Sequence, residues 1–105
     1  MQIHETQKGN SVVVSVEGRL DSSNSGDLEK RLLDLLDKGK YDMIVDFSRL
    51  DYISSAGLRV LLMAAKRTKA AGGQVALAAL NDNVREVFDI SGFTSLFPII
   101  AKEDI

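Results

Sequence analysis

The chain has 105 residues and no cysteine, which predicts one domain over residues 1–105 and excludes disulfides and thiolate metal sites. Hydrophobic residues make up 45% of it, but no apolar run approaches the ~20 residues of a membrane span, so we expect a cytoplasmic protein. A formal net charge of −2 and an aromatic fraction of 6% argue against nucleic acid as a partner.

The chain begins with the pattern of a β-hairpin. Residues 3–7 and 11–17 are predicted strands, the second rich in valine, and a Lys-Gly-Asn turn at residues 8–10 joins them. We expect the four residues from Gly18 to Asp21 to leave the second strand and to lead into a segment rich in Ser and Asn.

A first helix is predicted to begin at Asn24, a common N-cap residue type, and to end near Lys38. Gly39 is placed to close it as a residue in the left-handed conformation. Four leucines at helical spacing form its predicted core-facing stripe: Leu28, Leu32, Leu35 and Leu36. A short buried strand from Met43 to Phe47 should follow.

A second helix is predicted from about Ala56 to Ala71, ended by two glycines. Val75 to Leu80 then has the apolar composition of a strand that a parallel sheet buries on both faces. Strand, helix and strand make a βαβ unit, whose crossover should be right-handed. The predicted core-facing stripe of this helix consists of Leu58, Leu61, Leu62 and Ala65.

The last part of the chain predicts one more helix and one more strand. Asn81 or Asn83 can cap a helix that stops near Ser91, and residues 98–100 are a predicted edge strand. The whole pattern predicts an α/β fold, with a mixed sheet of about four to five strands, an N-terminal hairpin, a βαβ unit and about three covering helices.

The inventory of reactive residues argues against an enzyme. No Gly-rich phosphate loop is present, and the Ser-Ser-Ala-Gly run at residues 54–57 lacks the spacing of a nucleophile elbow. His4 is the only histidine and has no metal-ligand pattern beside it, so we interpret it as a surface or edge-strand residue. We therefore expect no catalytic residue, no metal and no cofactor.

The most informative segment runs from Asp46 to Leu58, from a buried strand through a short loop into the start of a helix. Ser54 or Ser55 can cap that helix, and the simplest interpretation makes Ser55 the N-cap, worth about 1 kcal/mol. Gly57 in the first turn costs about 1 kcal/mol relative to alanine. Its presence indicates that a neighbouring strand or a partner protein comes close to the backbone there.

A serine at a helix start is also suited to phosphorylation, because free N–H groups and the positive end of the helix dipole accept a phosphate. Arg59, Met63 and Lys66 recur at helical spacing opposite the predicted core stripe. They form either a solvated face with an incidental methionine, or a docking surface that an added phosphate would disturb.

Two segments, Val45 to Ser48 and Tyr52 to Leu62, resemble the central signature of STAS domains, in particular the bacterial anti-sigma factor antagonists. Gly18 to Asp21 resembles the family's Gly-x-Leu-Asp turn. Ala71 to Gly73 and Val84 to Phe93 also fit the family, so the resemblance covers nearly the whole chain.

The resemblance implies a partner switch. In this family the unphosphorylated antagonist binds an anti-sigma factor, a serine kinase of the GHKL type. Phosphorylation releases the antagonist, and a PP2C-type phosphatase resets it. The serine that matches the family's acceptor is Ser55. The motif and the helix face together place partner-binding residues at Asp21, Ser54, Ala56, Gly57, Leu58, Arg59, Leu62 and Met63.

The motif departs from the best-known pattern at Ser54, where Asp is common, and at Ala56, where Ser or Thr is common. Ser54 therefore stays open as an alternative acceptor. Two other functions also stay open. One is a constitutive STAS binding subunit of a transport or signalling complex, in which Ser55 is only a helix cap. The other is binding of a nucleotide or other small ligand at the helix start.

Overall fold

Six strands and three helices follow one another along the 105 residues, all of which the computed structural model describes. None of the helices is both long and apolar enough to cross a membrane. The strands are β1 (Gln2–Lys8), β2 (Ser11–Leu20), β3 (Asp42–Asp46), β4 (Leu50–Ile53), β5 (Gln74–Ala78) and β6 (Ile99–Ile100). The helices are α1 (Ser25–Asp37), α2 (Ser55–Ala70) and α3 (Asp82–Ile90), with short 3-10 helices at Thr94–Leu96 and Lys102–Asp104.

The long second strand organises the sheet. β1 runs antiparallel to β2 as a hairpin, and β3, β5 and β6 follow β2 in parallel. The first half of β2 (Val12–Ser15) pairs with β3, whereas its last three residues (Gly18–Leu20) pair with β4, also in parallel. β2 thus carries β3 and β4 one after the other along its length. The predicted mixed sheet with an N-terminal hairpin and a βαβ unit is confirmed.

The core lies between one face of the sheet and the helices. Every second residue of the central strands points into it, because side chains alternate along a strand: Val12, Val14 and Val16 of β2, Met43, Val45 and Phe47 in and after β3, and Val75 and Leu77 of β5. α1 packs on α2, α2 on β5, and α3 on β4. The predicted stripe of α1 is buried in full: Leu28, Leu32, Leu35 and Leu36.

The structure corrects two predictions about the strands. The second strand does not end at Glu17 but continues to Leu20. Gly18 adopts a φ of +93°, which glycine reaches without steric cost, and the strand pairing shifts register there instead of breaking. The predicted short loop after β3 contains β4, whose two ends are buried and whose two middle residues are exposed. Four residues with that pattern show no alternation for sequence analysis to detect.

The buried stripe of α2 also differs from the prediction. Leu58 and Leu61 are buried as expected, but Leu62 and Ala65 are only half-buried. The stripe continues through Ala64 and Thr68, both fully buried. Thr68 is tolerated inside because its hydroxyl donates a hydrogen bond to the Ala65 carbonyl oxygen at 3.1 Å. Because threonine is polar, a search for spaced hydrophobic residues does not assign Thr68 to the buried stripe.

Most predicted helix ends are confirmed. Gly39 has a φ of +77° just after α1, and the Asn81 side chain caps α3 by accepting from the Val84 N–H at 2.8 Å. The predicted edge strand is present as β6, which pairs with β5. Asn24 does precede α1, but its side chain makes no capping bond. It bonds instead to the backbone of Arg19 and Asp21.

The glycine in the first turn of α2 is explained by the neighbouring strand. A Cβ atom on Gly57 would lie 2.5 Å from Cγ of Leu20, in β2, and 3.2 Å from Cγ1 of Ile53, in β4. Such distances are well inside van der Waals contact, so no larger residue fits without movement. Of the two explanations that the sequence left open, the structure favours close approach of a strand.

We predict that Gly57→Ala destabilises the protein by about 1 kcal/mol. Overpacking against Leu20 costs about 1–3 kcal/mol, and the better helix propensity of alanine returns about 1 kcal/mol. Gly26→Ala is the matched control, because Gly26 also lies in a first helical turn and has nothing within 4 Å of an added Cβ. Urea unfolding should show a loss for the first variant and a gain for the second. A gain for both would contradict the close packing at Gly57.

Candidate functional site

The start of α2 is attached to the end of β2. The Ser54 N–H donates to the Leu20 carbonyl oxygen at 2.8 Å, and Leu20 pairs with Ile53 across the two strands. The Leu20 side chain in turn occupies the space that a side chain at Gly57 would need. These contacts set the position of the first turn of α2 relative to the sheet.

The two adjacent serines have different roles in this turn. Ser54 is the N-cap: it has extended backbone angles, its Oγ accepts from the Gly57 N–H at 3.3 Å, and its carbonyl accepts from the Leu58 N–H. Ser55 is the first helical residue, is exposed, and takes part in no side-chain hydrogen bond. The interpretation of Ser55 as the N-cap is therefore wrong. Sequence alone could not separate the two, because either serine has the side chain of a cap.

Asp21 lies next to this turn. It directly follows Leu20, whose carbonyl binds Ser54, so the fold brings it near the start of α2. Hydrogen bonds from the Ser23 hydroxyl (2.6 Å) and the Ser23 N–H (2.9 Å) hold the pKa of the Asp21 carboxyl below its ordinary value. These bonds hold the carboxylate against Ser23, and it makes no hydrogen bond to Ser55.

The exposed side of α2 presents only part of the predicted partner-binding set. Arg59 is exposed, and Ala56, Leu62 and Met63 are half-buried, so all four side chains reach the surface. Leu58 is only 4% exposed, and its side chain belongs to the core. This burial argues against a direct contact of Leu58 with a partner. Gly57 is also buried, and its role is to allow the close packing on Leu20.

One surface feature of the neighbouring strands β2 and β4 was not predicted from the sequence. The Arg19 guanidinium lies over the Tyr52 ring, 4.3 Å from its centroid, and Tyr52 is 40% exposed. The two residues face each other across the β2–β4 pair. Because β4 was not recognised, nothing in the sequence placed an arginine and a tyrosine on neighbouring strands.

The loop that leads to β4 is held by a contact with Lys102 of the C-terminal segment. Asp46, whose side chain is 8% exposed, accepts from the Ser48 N–H at 2.9 Å and from the Lys102 ammonium at 3.1 Å. Burial acts to raise the pKa of the Asp46 carboxyl, but these hydrogen bonds outweigh it and hold the pKa below its ordinary 3.8. Asp46 is thus an anchoring group for the loop.

Asp46 and Lys102 also line an open cleft of about 300 Å³ on the face of the sheet opposite the helices. His4 lies there too, exposed on the edge strand β1, where its Nε2 atom is 2.8 Å from a Glu17 oxygen. Arg49 contacts the same carboxylate at 3.1 Å. The charged groups in the cleft are paired with one another, and no group of three or more His, Cys, Asp or Glu is arranged to hold a metal ion.

The chain is similar to one family of known proteins. The family model of the STAS domain matches residues 2–104. The chain is 46% identical over 88 residues, 84% of its length and 76% of the other's, to the Bordetella bronchiseptica protein BtrV, which carries the name of an anti-sigma factor antagonist. It is 29% identical over 98 residues, 93% of its length and 89% of the other's, to the anti-sigma-B factor antagonist of Bacillus subtilis.

The fold is similar to that of a solved anti-sigma factor antagonist, SpoIIAA. The unphosphorylated form of SpoIIAA aligns with a TM-score of 0.85 at 22% identity, over 98% of this chain and 91% of that one. Its phosphorylated form, from Bacillus, aligns with a TM-score of 0.77 at 21% identity, over 98% and 95% of the two chains. At sequence identities of 21% and 22%, this similarity shows a shared fold and nothing more.

The different roles of the two serines predict different costs of their removal. Ser54→Ala should destabilise the protein by about 1 kcal/mol, because the Gly57 N–H loses its capping acceptor. Ser55→Ala should change the free energy of unfolding by less than about 0.5 kcal/mol, because an exposed side chain without a hydrogen bond is removed. Chemical denaturation of the two variants checks this. If Ser55→Ala were the more destabilising substitution of the two, Ser55 and not Ser54 would be the N-cap.

Proposed function

The chain belongs to the STAS domain family, and we propose that it is an anti-sigma factor antagonist that works by partner switching. In its unphosphorylated form it binds an anti-sigma factor that is also a serine kinase of the GHKL type. The kinase transfers a phosphoryl group from ATP to the Ser55 hydroxyl, which releases the antagonist, and a PP2C-type phosphatase removes the phosphate. The protein is a binding partner and a kinase substrate in the cytoplasm, and residues 1–105 act as one STAS domain.

The exposure of Ser55 is the observation that carries this proposal. The hydroxyl that matches the family's acceptor is on the surface and free of hydrogen bonds, whereas the Ser54 hydroxyl is occupied as the N-cap. A kinase can therefore reach Ser55 without opening the fold. Phosphorylation of Ser54 would instead remove the capping contact to the Gly57 N–H, and this makes Ser54 the poorer acceptor.

The surface around Ser55 fits a protein partner. Arg59 and Met63 follow Ser55 at intervals of four residues, so the three lie along one side of α2. Asp21 follows Leu20, whose carbonyl binds Ser54, so its backbone also lies near the start of the helix. Arginine and methionine are residue types that interfaces favour. We place the kinase on this surface, which we call the switch surface.

Phosphate changes binding without unfolding the domain. It adds about 1.5 to 2 negative charges at the start of α2, where free N–H groups and the helix dipole favour an anion. The first turn of α2 holds no acidic side chain that would repel it. The fold is therefore kept, while the partner meets a charge in the middle of its contact area. A like charge or an unpaired one at that point costs affinity.

We predict that Ser55→Asp weakens binding of the kinase at least about tenfold, whereas Ser55→Ala binds like the unmodified protein. Asp carries less charge than phosphate, so the effect of the substitution is a lower limit. Isothermal titration calorimetry with each candidate GHKL-type kinase of the host measures it. Ser95→Asp is the matched control: Ser95 is exposed, and its neighbour Leu96 lies against the C-terminal part of α2, far from Ser55.

Equal affinity of Ser55→Asp and the unmodified protein would contradict the switch. A stable partner that is insensitive to every change at Ser55 would instead indicate a constitutive binding subunit. A kinase that loses affinity for the Ser95→Asp control as well would show only a general response to added negative charge.

A further inference from the structure

The arginine that follows Ser55 by one helical turn has no carboxylate partner. Arg31, Arg49 and Arg85 form ion pairs with Asp or Glu. Arg59 forms none, and neither do Arg19 and Arg67. The helical neighbours three and four residues to either side of Arg59 are Ser55, Ala56, Leu62 and Met63, none of which is acidic. An exposed guanidinium is therefore free on the side of α2 that carries Ser55.

Helix geometry brings Arg59 within reach of a group attached to Ser55. Residues four apart on a helix have Cβ atoms about 5–6 Å apart, and an anion that precedes a cation by four residues is the favourable order. Long side chains on a helix also lean toward its N-terminus, so the Arg59 side chain covers the turn that begins at Ser55. The planar guanidinium can then bind two phosphate oxygens at once.

We propose that Arg59 binds the phosphate of phosphorylated Ser55 within the same chain. This inference rests on the proposed function, because it assumes that Ser55 is the acceptor. Phosphorylation then alters the switch surface twice. It adds the charge of the phosphate, and it withdraws a free arginine that an acidic patch of the partner would otherwise meet. An aspartate at position 55 is shorter and has a single charge, so it holds Arg59 less well.

Other cations of β2 and α2 are less suitable. Arg19 already stacks on Tyr52 at 4.3 Å and lies close enough to Asp21 to lower the pKa of that carboxyl. Lys66 and Arg67 lie about three turns or more beyond Ser55 along the helix, out of reach of a phosphate at its start. These residues supply controls for the assignment.

The second pKa of the phosphoserine tests the proposal directly. The full chain with phosphoserine incorporated at position 55 is titrated by ³¹P NMR. The same titration is repeated on chains that carry one further substitution: Arg59→Gln, Arg59→Lys, Arg19→Gln or Arg67→Gln. An ion pair with Arg59 stabilises the dianion, so Arg59→Gln should raise this pKa by about 0.3. Arg59→Lys should keep most of the effect, and 1 M salt, where the Debye length is about 3 Å, should reduce it.

A second signal reports on Arg59 itself. Its side-chain Nε–H resonance should move as the phosphate titrates, with the same midpoint, while that of Arg67 stays unchanged. Arg59→Gln without effect on the phosphate pKa, or an equal effect from Arg19→Gln or Arg67→Gln, would overturn the proposal. The experiment needs no kinase, because the phosphoserine is incorporated during synthesis. Failure of the pair is therefore distinguishable from failure of the switch, which the binding of the unphosphorylated chain measures separately.

Discussion

The contact between the end of β2 and the first turn of α2 is the constraint on which the site depends. A single backbone hydrogen bond, from the Ser54 N–H to the Leu20 carbonyl, joins them, and the Leu20 side chain packs where any residue larger than Gly57 would collide with it. With the turn held in this way, Ser54 caps the helix and Ser55 points into solvent. The exposure of Ser55 follows from the packing beneath it.

The rest of the fold supports this contact from the sheet side. β2 is long enough to pair with both β3 and β4, so the strand that anchors α2 is also a central strand of the sheet. The loop between β3 and β4 is held by the paired and buried Asp46. A charge added at the surface therefore acts on what binds there and not on the core, as a switch by phosphorylation requires.

Sequence analysis predicted the elements that have strong periodicity. The spaced leucines of α1 and the apolar runs of β2, β3 and β5 gave the helix, the strands and the mixed sheet. It missed β4, because four residues with buried ends and exposed middle residues carry no alternating pattern. The stripe of α2 was misplaced where buried Thr68 satisfies its hydroxyl locally, a contact that no hydropathy pattern contains.

The sequence located the segment that forms the site, but not the roles of its individual residues. The motif located the start of α2, yet two adjacent serines are chemically equivalent until backbone angles decide which one caps the helix. Leu58 was assigned to the partner surface from the motif, although helical spacing already placed it in the core stripe, and the structure follows the spacing. The Arg19–Tyr52 pair depends on strand pairing between distant parts of the chain, which local sequence cannot show.

The most direct test of the account is phosphopeptide mapping of this protein purified from its native host, combined with the mass of the intact chain. We expect a single phosphate, located on Ser55, whose occupancy varies with growth state. A phosphate on Ser54 would contradict the roles assigned to the two serines. The absence of phosphate in every growth state would contradict the switch itself and leave a STAS domain that binds its partner constitutively.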